Sequence, residues 1–289
     1  MGVLVNGVTY VDLHVHTTNS DGTYTPKQVV QKAAEAGIKV LAITDHDEVG
    51  GILEAKEEAK KHKIKIISGI ECTTRFKGGN LHILGYNINP NSKPLKQLIS
   101  SCQASRIEKI QKTLELLKEK EGIELSFEDV KKYSLNGTMG RPHIAQAMLE
   151  KGYISTLEEA FEKYIGKGMP AYVSGRNTTP EEVIKAIKKA RGIPVLAHPF
   201  QMNLPTIEDT LKKVESLVAI GLEGVEAIYP EHTKEQTYEL IRYAAMHKLY
   251  VTCGSDFHGG NKPNKLGYCL ENKEKISCNT CKIMGKMIF

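Results

Sequence analysis

Short runs rich in β-branched residues alternate with amphipathic segments along most of this chain, and that alternation narrows the architecture more than any other feature. Residues 11–16, 39–44 and 64–70 read as strands separated by helical stretches at 26–36 and 52–61, and residues 81–88 read as a fourth strand. Further on, helical patterns at 180–191, 207–220 and 234–247 alternate with strand patterns at 193–197, 224–228 and 249–253. About seven strands, mostly followed by helices, pack as a sheet covered by those helices, so the expected class is α/β. The first helix carries its own punctuation: Thr25 as N-cap, Pro26 at its first turn, Val29, Val30, Ala33 and Ala34 on one face, and Gly37 as terminator.

Between residues 91 and 172 the strand signal disappears, and helical patterns take over at 95–120, 126–133, 143–151 and 157–165. This reads as a helical insertion into a discontinuous core of 1–90 and 173–272, with 273–289 a terminal helix or a loose end. In the longest of these helices Ile107, Ile110, Leu114 and Leu117 recur at steps of three and four, the stripe of a helix packed on a core. With 289 residues, 40% of them hydrophobic, the chain has apolar surface enough to fold by itself. The net charge of +5 suits anionic ligands without making a nucleic-acid binder.

Six cysteines, at 72, 102, 253, 269, 278 and 281, are spaced irregularly, and the first residues lack a basic segment followed by a long apolar one. Reduced thiols and a cytoplasmic location are expected. No run approaches the roughly 20 apolar residues that cross a bilayer, so no membrane association is expected. Cys278 and Cys281 form a lone CxxC, which supplies only two of the four ligands of a structural zinc.

Polar residues gather where the strands end. Asp12-Leu-His14-Val-His16 closes the first strand, and because alternate strand residues face one side, His14 and His16 can point into one site. Asp21 lies in the following loop, Asp45-His46-Asp47 ends the second strand, Glu71 ends the third, and His82 opens the fourth. His198 ends a late strand, and Asp256 and His258 end the last. Six histidines, two aspartates and a glutamate at successive strand ends would converge on one mouth, and they exceed what one tetrahedral ion needs. Their mixed N/O character suits two or three ions of Zn, Mn or Fe. Two such ions about 3.5–4 Å apart can hold a hydroxide and polarise a phosphoryl oxygen, the pattern of a hydrolytic site. Asp12 and Asp45 are expected to orient neighbouring histidines, and Asp47, before Gly50-Gly51, to cap the next helix.

With these motifs the chain resembles the PHP (polymerase and histidinol phosphatase) family of metal-dependent phosphoesterases. The resemblance rests on DLHVHTTNSDGT (12–23), LAITDHDEVGG (41–51), GIE (69–71), LHILGYNI (81–88), AHP (197–199) and GSDFHG (254–259). It implies a distorted (β/α)7 TIM-like barrel with a trinuclear site whose ligands are His14, His16, Asp21, His46, Glu71, His82, His198, Asp256 and His258. Glu71 and Asp256 are the expected bridges, since a carboxylate has two oxygens to share. Gly140-Arg141-Pro142-His143 lies in the insertion, and arginine offers a rigid fork that matches phosphate oxygens. In the subgroup that acts on nucleotide phosphates such an insertion covers the metal mouth, which would place Arg141 and His143 over the substrate.

The resemblance therefore implies a hydrolase that removes the 3'-phosphate of nucleoside 3',5'-bisphosphates or trims the 5' ends of short oligonucleotides. Histidinol phosphate is the competing substrate. An amidohydrolase-type site would often carry a lysine bridge where Glu71 stands, and a non-catalytic module would tolerate loss of ligands, all nine of which are present. Aromatic residues are 6% and tryptophan is absent, which favours small phosphorylated substrates over long nucleic acid. The oligomeric state is left open.

Overall fold

A computed structural model describes residues 9–76, 79–134, 139–174, 178–269 and 274–277. One seven-stranded sheet runs in chain order: β1 (Tyr10–Asp12), β2 (Ile38–Ile43), β3 (Lys65–Phe76), β4 (Gly79–Tyr86), β5 (Ile193–Leu196), β6 (Gly224–Ile228) and β7 (Tyr250–Cys253). Helices α1 (Pro26–Glu35) and α2 (Gly51–His62) follow the first two strands. After β4 come α3 (Lys93–Glu121), α4 (Phe127–Lys131), α5 (Arg141–Glu150) and α6 (Leu157–Ala160). Then α7 (Pro180–Lys189), α8 (Ile207–Val218) and α9 (Lys234–His247) lead into β5, β6 and β7. The expected capping of α1 is present, with Gln28 N donating to Thr25 Oγ1 at 3.2 Å and Thr25 N to Gln28 Oε1 at 2.9 Å.

The sheet departs from a simple alternation at β3. This strand was expected to stop at residue 70 but runs to Phe76 and pairs antiparallel with β4, which pairs antiparallel with β5. The other pairs are parallel. The extension pairs with β4 from Gly69↔Tyr86 to Phe76↔Gly79, so an antiparallel pair stands where a crossover helix would join parallel strands. Buried aliphatic residues of all seven strands and of α1, α2, α7, α8 and α9 form the main core.

The closed barrel is not what the ladders form: among the described residues no ladder joins β1 to β7, and the sheet is open. β1 is only three residues long, because beyond it backbone donors are taken by side chains. Val15 N donates to Thr44 Oγ1 at 2.9 Å and Thr17 N to Asp45 Oδ1 at 2.7 Å. The two edges meet through Leu13 N donating to Cys253 O at 3.1 Å and an isolated bridge between Val15 and Phe257. Buried Tyr86 adds a tie from β4, its hydroxyl donating to Leu13 O at 2.9 Å.

The helices between 91 and 172 build a second core. Ile110, Leu114 and Leu117 of α3 pack with Ile144, Ala147 and Met148 of α5, whereas Leu95 and Ile99 at the start of α3 belong to the main core. Ile107, expected in the same stripe, is 39% exposed, because a 29-residue helix that serves two cores shifts its buried face along its length. Residues 274–275 form a strand, β9, against β8 (Tyr268–Cys269), and Ser277 bridges Tyr10, so the tail begins as neither helix nor loose end. Cys72, Cys102 and Cys269 are in no disulfide, while Cys253 is disulfide-bonded, against the expectation of six reduced cysteines. Sequence spacing carries no information on such a pairing. Cys278 and Cys281 lie outside the described residues. No described helix is long and apolar enough to cross a membrane.

Candidate metal centre

Each strand end delivers its polar residue by a local device. The β2–β3 ladder ends at Ile43 and Ser68, and beyond it Glu71 N donates to Asp45 O at 3.1 Å while Asp47 N donates to Glu71 O at 2.9 Å, which holds His46 beside Glu71. Asp47, His198 and Asp256 have φ of 49°, 27° and 53°, a left-handed conformation that side chains disfavour. Three such residues at three strand exits mark positions the surroundings over-determine. Gly254 is required for the same closeness: a Cβ there would lie 2.2 Å from His14 Cβ.

All nine residues converge. Glu71 is central, with Oε2 3.2 Å from His14 Nε2, 3.1 Å from His16 Nε2 and 3.1 Å from His46 Nδ1. Its Oε1 lies 2.8 Å from His82 Nδ1 and 3.0 Å from His198 Nε2. Asp256 Oδ1 is 3.2 Å from His16 Nε2, 3.4 Å from His258 Nδ1 and 3.5 Å from His14 Nε2. Asp21 completes the far side, Oδ1 3.2 Å from His258 Nε2 and Oδ2 4.0 Å from His46 Nε2.

These residues fit a metal cluster on one physical test. His14 Nε2, His16 Nε2, Asp21 Oδ1, His46 Nδ1, Glu71 Oε2 and His258 Nε2 are buried and make no aligned hydrogen bond, although they crowd one another. An unsatisfied buried polar atom costs about 1–3 kcal/mol, and a set of them facing a common centre is what a coordinated cation would satisfy. Three overlapping sets have the spacing to hold an ion: His16, Asp21, His46 and His258; His14, His16, Glu71 and Asp256; and His46, Glu71 and His82. Burial alone would raise the Glu71 carboxyl, but His46, His14 and His82 outweigh it and hold it well below the usual range. Burial is likewise outweighed at Asp256 by Lys262, His258 and His14, so both carboxylates stay ionised.

The two expected bridges differ. Glu71 meets separate histidine sets with its two oxygens, as a bridge must. Asp256 does not, because its Oδ2 accepts from Tyr229 OH at 2.8 Å and from Lys262 Nζ at 2.6 Å, which leaves Oδ1 alone to face the histidines.

Several supporting residues were not anticipated. Glu226 of β6 is fully buried and lies 3.0 Å and 3.2 Å from His14 Nδ1, which fixes the ring with Nε2 inward, and it accepts from His198 N at 2.9 Å. A single acidic residue within the apolar strand GVEAI was the available signal. Neither Asp12 nor Asp45 bonds a histidine ring directly, although Ser20 Oγ, which donates to Asp45, lies 3.4 Å from His16 Nδ1. Asp12 accepts from His14 N, Ser255 N, Ser255 Oγ and Gly267 N, and Asp45 from Thr17 and Ser20. Asp47 does not cap α2: its Oδ2 accepts from Arg106 of α3 at 2.9 and 2.7 Å, because the left-handed turn aims it at the insertion, and Glu48 accepts from Val49 N and Gly50 N instead.

A cavity of about 500 Å³ opens on the cluster, with Asp21, His46 and His82 on one wall and Arg106, Arg141 and Lys262 on the others. Arg141 is exposed to it, one guanidinium nitrogen donating to Ile165 O at 3.2 Å and the group lying 5.8 Å from the Phe161 ring and 5.4 Å from that of Tyr172. Among the described residues no carboxylate pairs with Arg141. His143 differs from its expected place over the substrate: it is buried, does not line the cavity, and its Nδ1 accepts from Gly140 N at 2.9 Å. As the third residue of its helix it turns back on the helix start, a packing constraint that outweighs the pairing with Arg141 in sequence.

Residues 12–169 match the model of the PHP domain. A 5'-3' exoribonuclease of Haemophilus influenzae is 34% identical over 86% of this chain and 89% of its own. A 3',5'-nucleoside bisphosphate phosphatase of Chromobacterium violaceum is 32% identical over 86% of this chain and 87% of its own. A solved structure from Bifidobacterium adolescentis, named a putative metal-dependent phosphoesterase, superposes with a TM-score of 0.84 at 30% identity, covering 94% of each chain.

Proposed function

This chain belongs to the PHP-domain family, and from that premise we propose that it hydrolyses small doubly phosphorylated substrates, nucleoside 3',5'-bisphosphates or the 5' ends of short oligonucleotides. It is a metal-dependent phosphoesterase, hence a hydrolase. The observation that carries the substrate is Arg141, on the wall of the cavity that opens on the candidate metal centre and with no carboxylate partner among the described residues. The names of the two relatives support the same substrate class, and they do not favour histidinol phosphate, which has one phosphate only. The glutamate at the middle of the cluster favours a phosphoesterase over an amidohydrolase-type site with a lysine bridge.

His14, His16, Asp21, His46, Glu71, His82, His198, Asp256 and His258 would hold two or three ions of Mn, Zn or Fe, Glu71 between two of them. When bound, divalent ions polarise the phosphoryl group and make the attacking water acidic enough to ionise near neutral pH. The chain's own residues do the positioning. Glu226 holds His14 in the tautomer that turns Nε2 inward, and Tyr229 fixes the Asp256 carboxylate so that Oδ1 faces the histidines. Arg141 holds the second phosphate and so fixes which ester lies at the cluster. Arg106, bound to Asp47 and Thr73, ties the insertion to the mouth and keeps Arg141 at working distance.

The test is removal and return of the ions. Protein stripped with a chelator should release no phosphate from a nucleoside 3',5'-bisphosphate, and adding back Mn²⁺ should restore release in proportion to ions bound. Undiminished activity in protein shown by elemental analysis to be free of metal would refute the reading.

A further inference from the structure

Lys262 stands at the edge of the centre without a part in the scheme above. It follows Gly259–Asn261, a short helical turn pinned on three sides: Gly260 N donates to Thr23 Oγ1 at 2.9 Å, Asn261 Nδ2 to Asp21 O at 2.7 Å, and Gln146 of α5 to Asn261 Oδ1 at 3.2 Å. The backbone beneath Lys262 is therefore fixed to both the core and the insertion. Its side chain lines the same cavity as Asp21, His46 and Arg141, and its Nζ lies 2.6 Å from Asp256 Oδ2.

That ion pair is not what Asp256 needs. Tyr229 OH already donates to Oδ2 at 2.8 Å, so the carboxylate keeps a buried partner there if the lysine turns away. Lys262 is 36% exposed on a flexible stem, while Asp256 is 2% exposed. An ammonium beside a cluster of divalent cations is repelled by them, and the repulsion is relieved when an anion of charge two or more lies between. The phosphoryl group of a substrate is such an anion.

We infer that Lys262 is a catalytic residue, whose ammonium binds a non-bridging oxygen of the phosphoryl group that is transferred to water. The inference rests on the phosphoesterase reading and gives Lys262 a role distinct from that of Arg141. In the reaction the water oxygen forms the new bond to phosphorus as the ester bond breaks. One water proton ends on the leaving oxygen, and Lys262 keeps all three of its protons. Because the contact is to the transferred group, it serves monophosphates and bisphosphates alike, whereas Arg141 serves only those with a second phosphate.

Inorganic phosphate is the probe. On metal-loaded Lys262→Met protein, calorimetric affinity for phosphate should fall roughly tenfold or more, and kcat/KM should fall by similar factors for a nucleoside monophosphate and a nucleoside 3',5'-bisphosphate. Metal content should match wild type, and Lys262→Arg should recover most of the phosphate affinity. Unchanged phosphate affinity in Lys262→Met would overturn the inference, as would a loss of bound metal large enough to account for the weaker binding. A wild-type protein that binds phosphate but hydrolyses no ester would instead overturn the hydrolase reading.

Discussion

Arg141→Ala separates the phosphate clamp from the metal chemistry. The guanidinium is exposed to the cavity, donates to Ile165 O and lies over the rings of Phe161 and Tyr172, and no carboxylate among the described residues neutralises it. Its charge is therefore available to a ligand. A charge-assisted hydrogen bond contributes about 1.5–3 kcal/mol, and solvent access places this one toward the lower end. At about 2 kcal/mol the variant should lose roughly 30-fold in kcat/KM for a nucleoside 3',5'-bisphosphate. For a nucleoside monophosphate the loss should be within about threefold, under ~0.7 kcal/mol, since the missing contact is to a group that substrate lacks. Arg141→Lys should fall between, because an ammonium keeps the charge but not the two-pronged geometry. The assay is phosphate release under one metal condition, with metal content measured on the same preparations. Equal losses for both substrates at full metal content would refute the clamp and move Arg141 to the transferred group.

Glu71→Ala should remove more than one ion per chain by elemental analysis, while Asp256→Ala should remove at most one, because Glu71 presents both oxygens to the histidines and Asp256 only one. Glu226→Gln should keep the fold, read by circular dichroism, and weaken metal affinity by roughly 10–100-fold, the usual cost of losing a carboxylate that orients a ligating histidine. His232 tests the acid limb of stability. Burial pulls its pKa from 6.5 down to about 4, with its Nδ1 3.1 Å from Ala227 O. Below pH 6.5 the unfolded chain takes up a proton that the folded one refuses until about pH 4, so this group's contribution is full above 6.5 and lost as pH falls through that window. The loss is about 3 kcal/mol, and denaturant midpoints of His232→Gln should lack it.

The metal centre was largely legible because its signals are local. His14 and His16 share a face by strand period, and Asp21, His46, His198, Asp256 and His258 lie in the turns after their strands, whereas Glu71 and His82, expected at strand ends, lie inside β3 and β4. What escaped depends on contacts remote in sequence. Glu226 looks like a chance polar residue until His14, 212 positions away, lies against it. Nothing in the sequence singles out Lys262 and Arg106, whose partners Asp256 and Asp47 are brought to them by the turn after β7 and by α3. Asp47 resembled a helix cap because its left-handed turn cannot be read from Asp47-Glu48-Val49-Gly50. The β1–β2 ladder ends where the Thr44 and Asp45 side chains claim the donors of Val15 and Thr17, and nothing in the alternation of strands and helices announces that or the missing β1–β7 ladder.

The most direct measurement of the central claim is a side-by-side kcat/KM for a nucleoside 3',5'-bisphosphate, the matching nucleoside monophosphate and histidinol phosphate under one metal condition. A metal centre whose cavity is lined by Arg141 should prefer the bisphosphate over each of the others by roughly tenfold or more, about 1.4 kcal/mol of transition-state stabilisation. Histidinol phosphate turning over tenfold faster than the bisphosphate would contradict the substrate assignment and leave only the phosphoesterase chemistry standing.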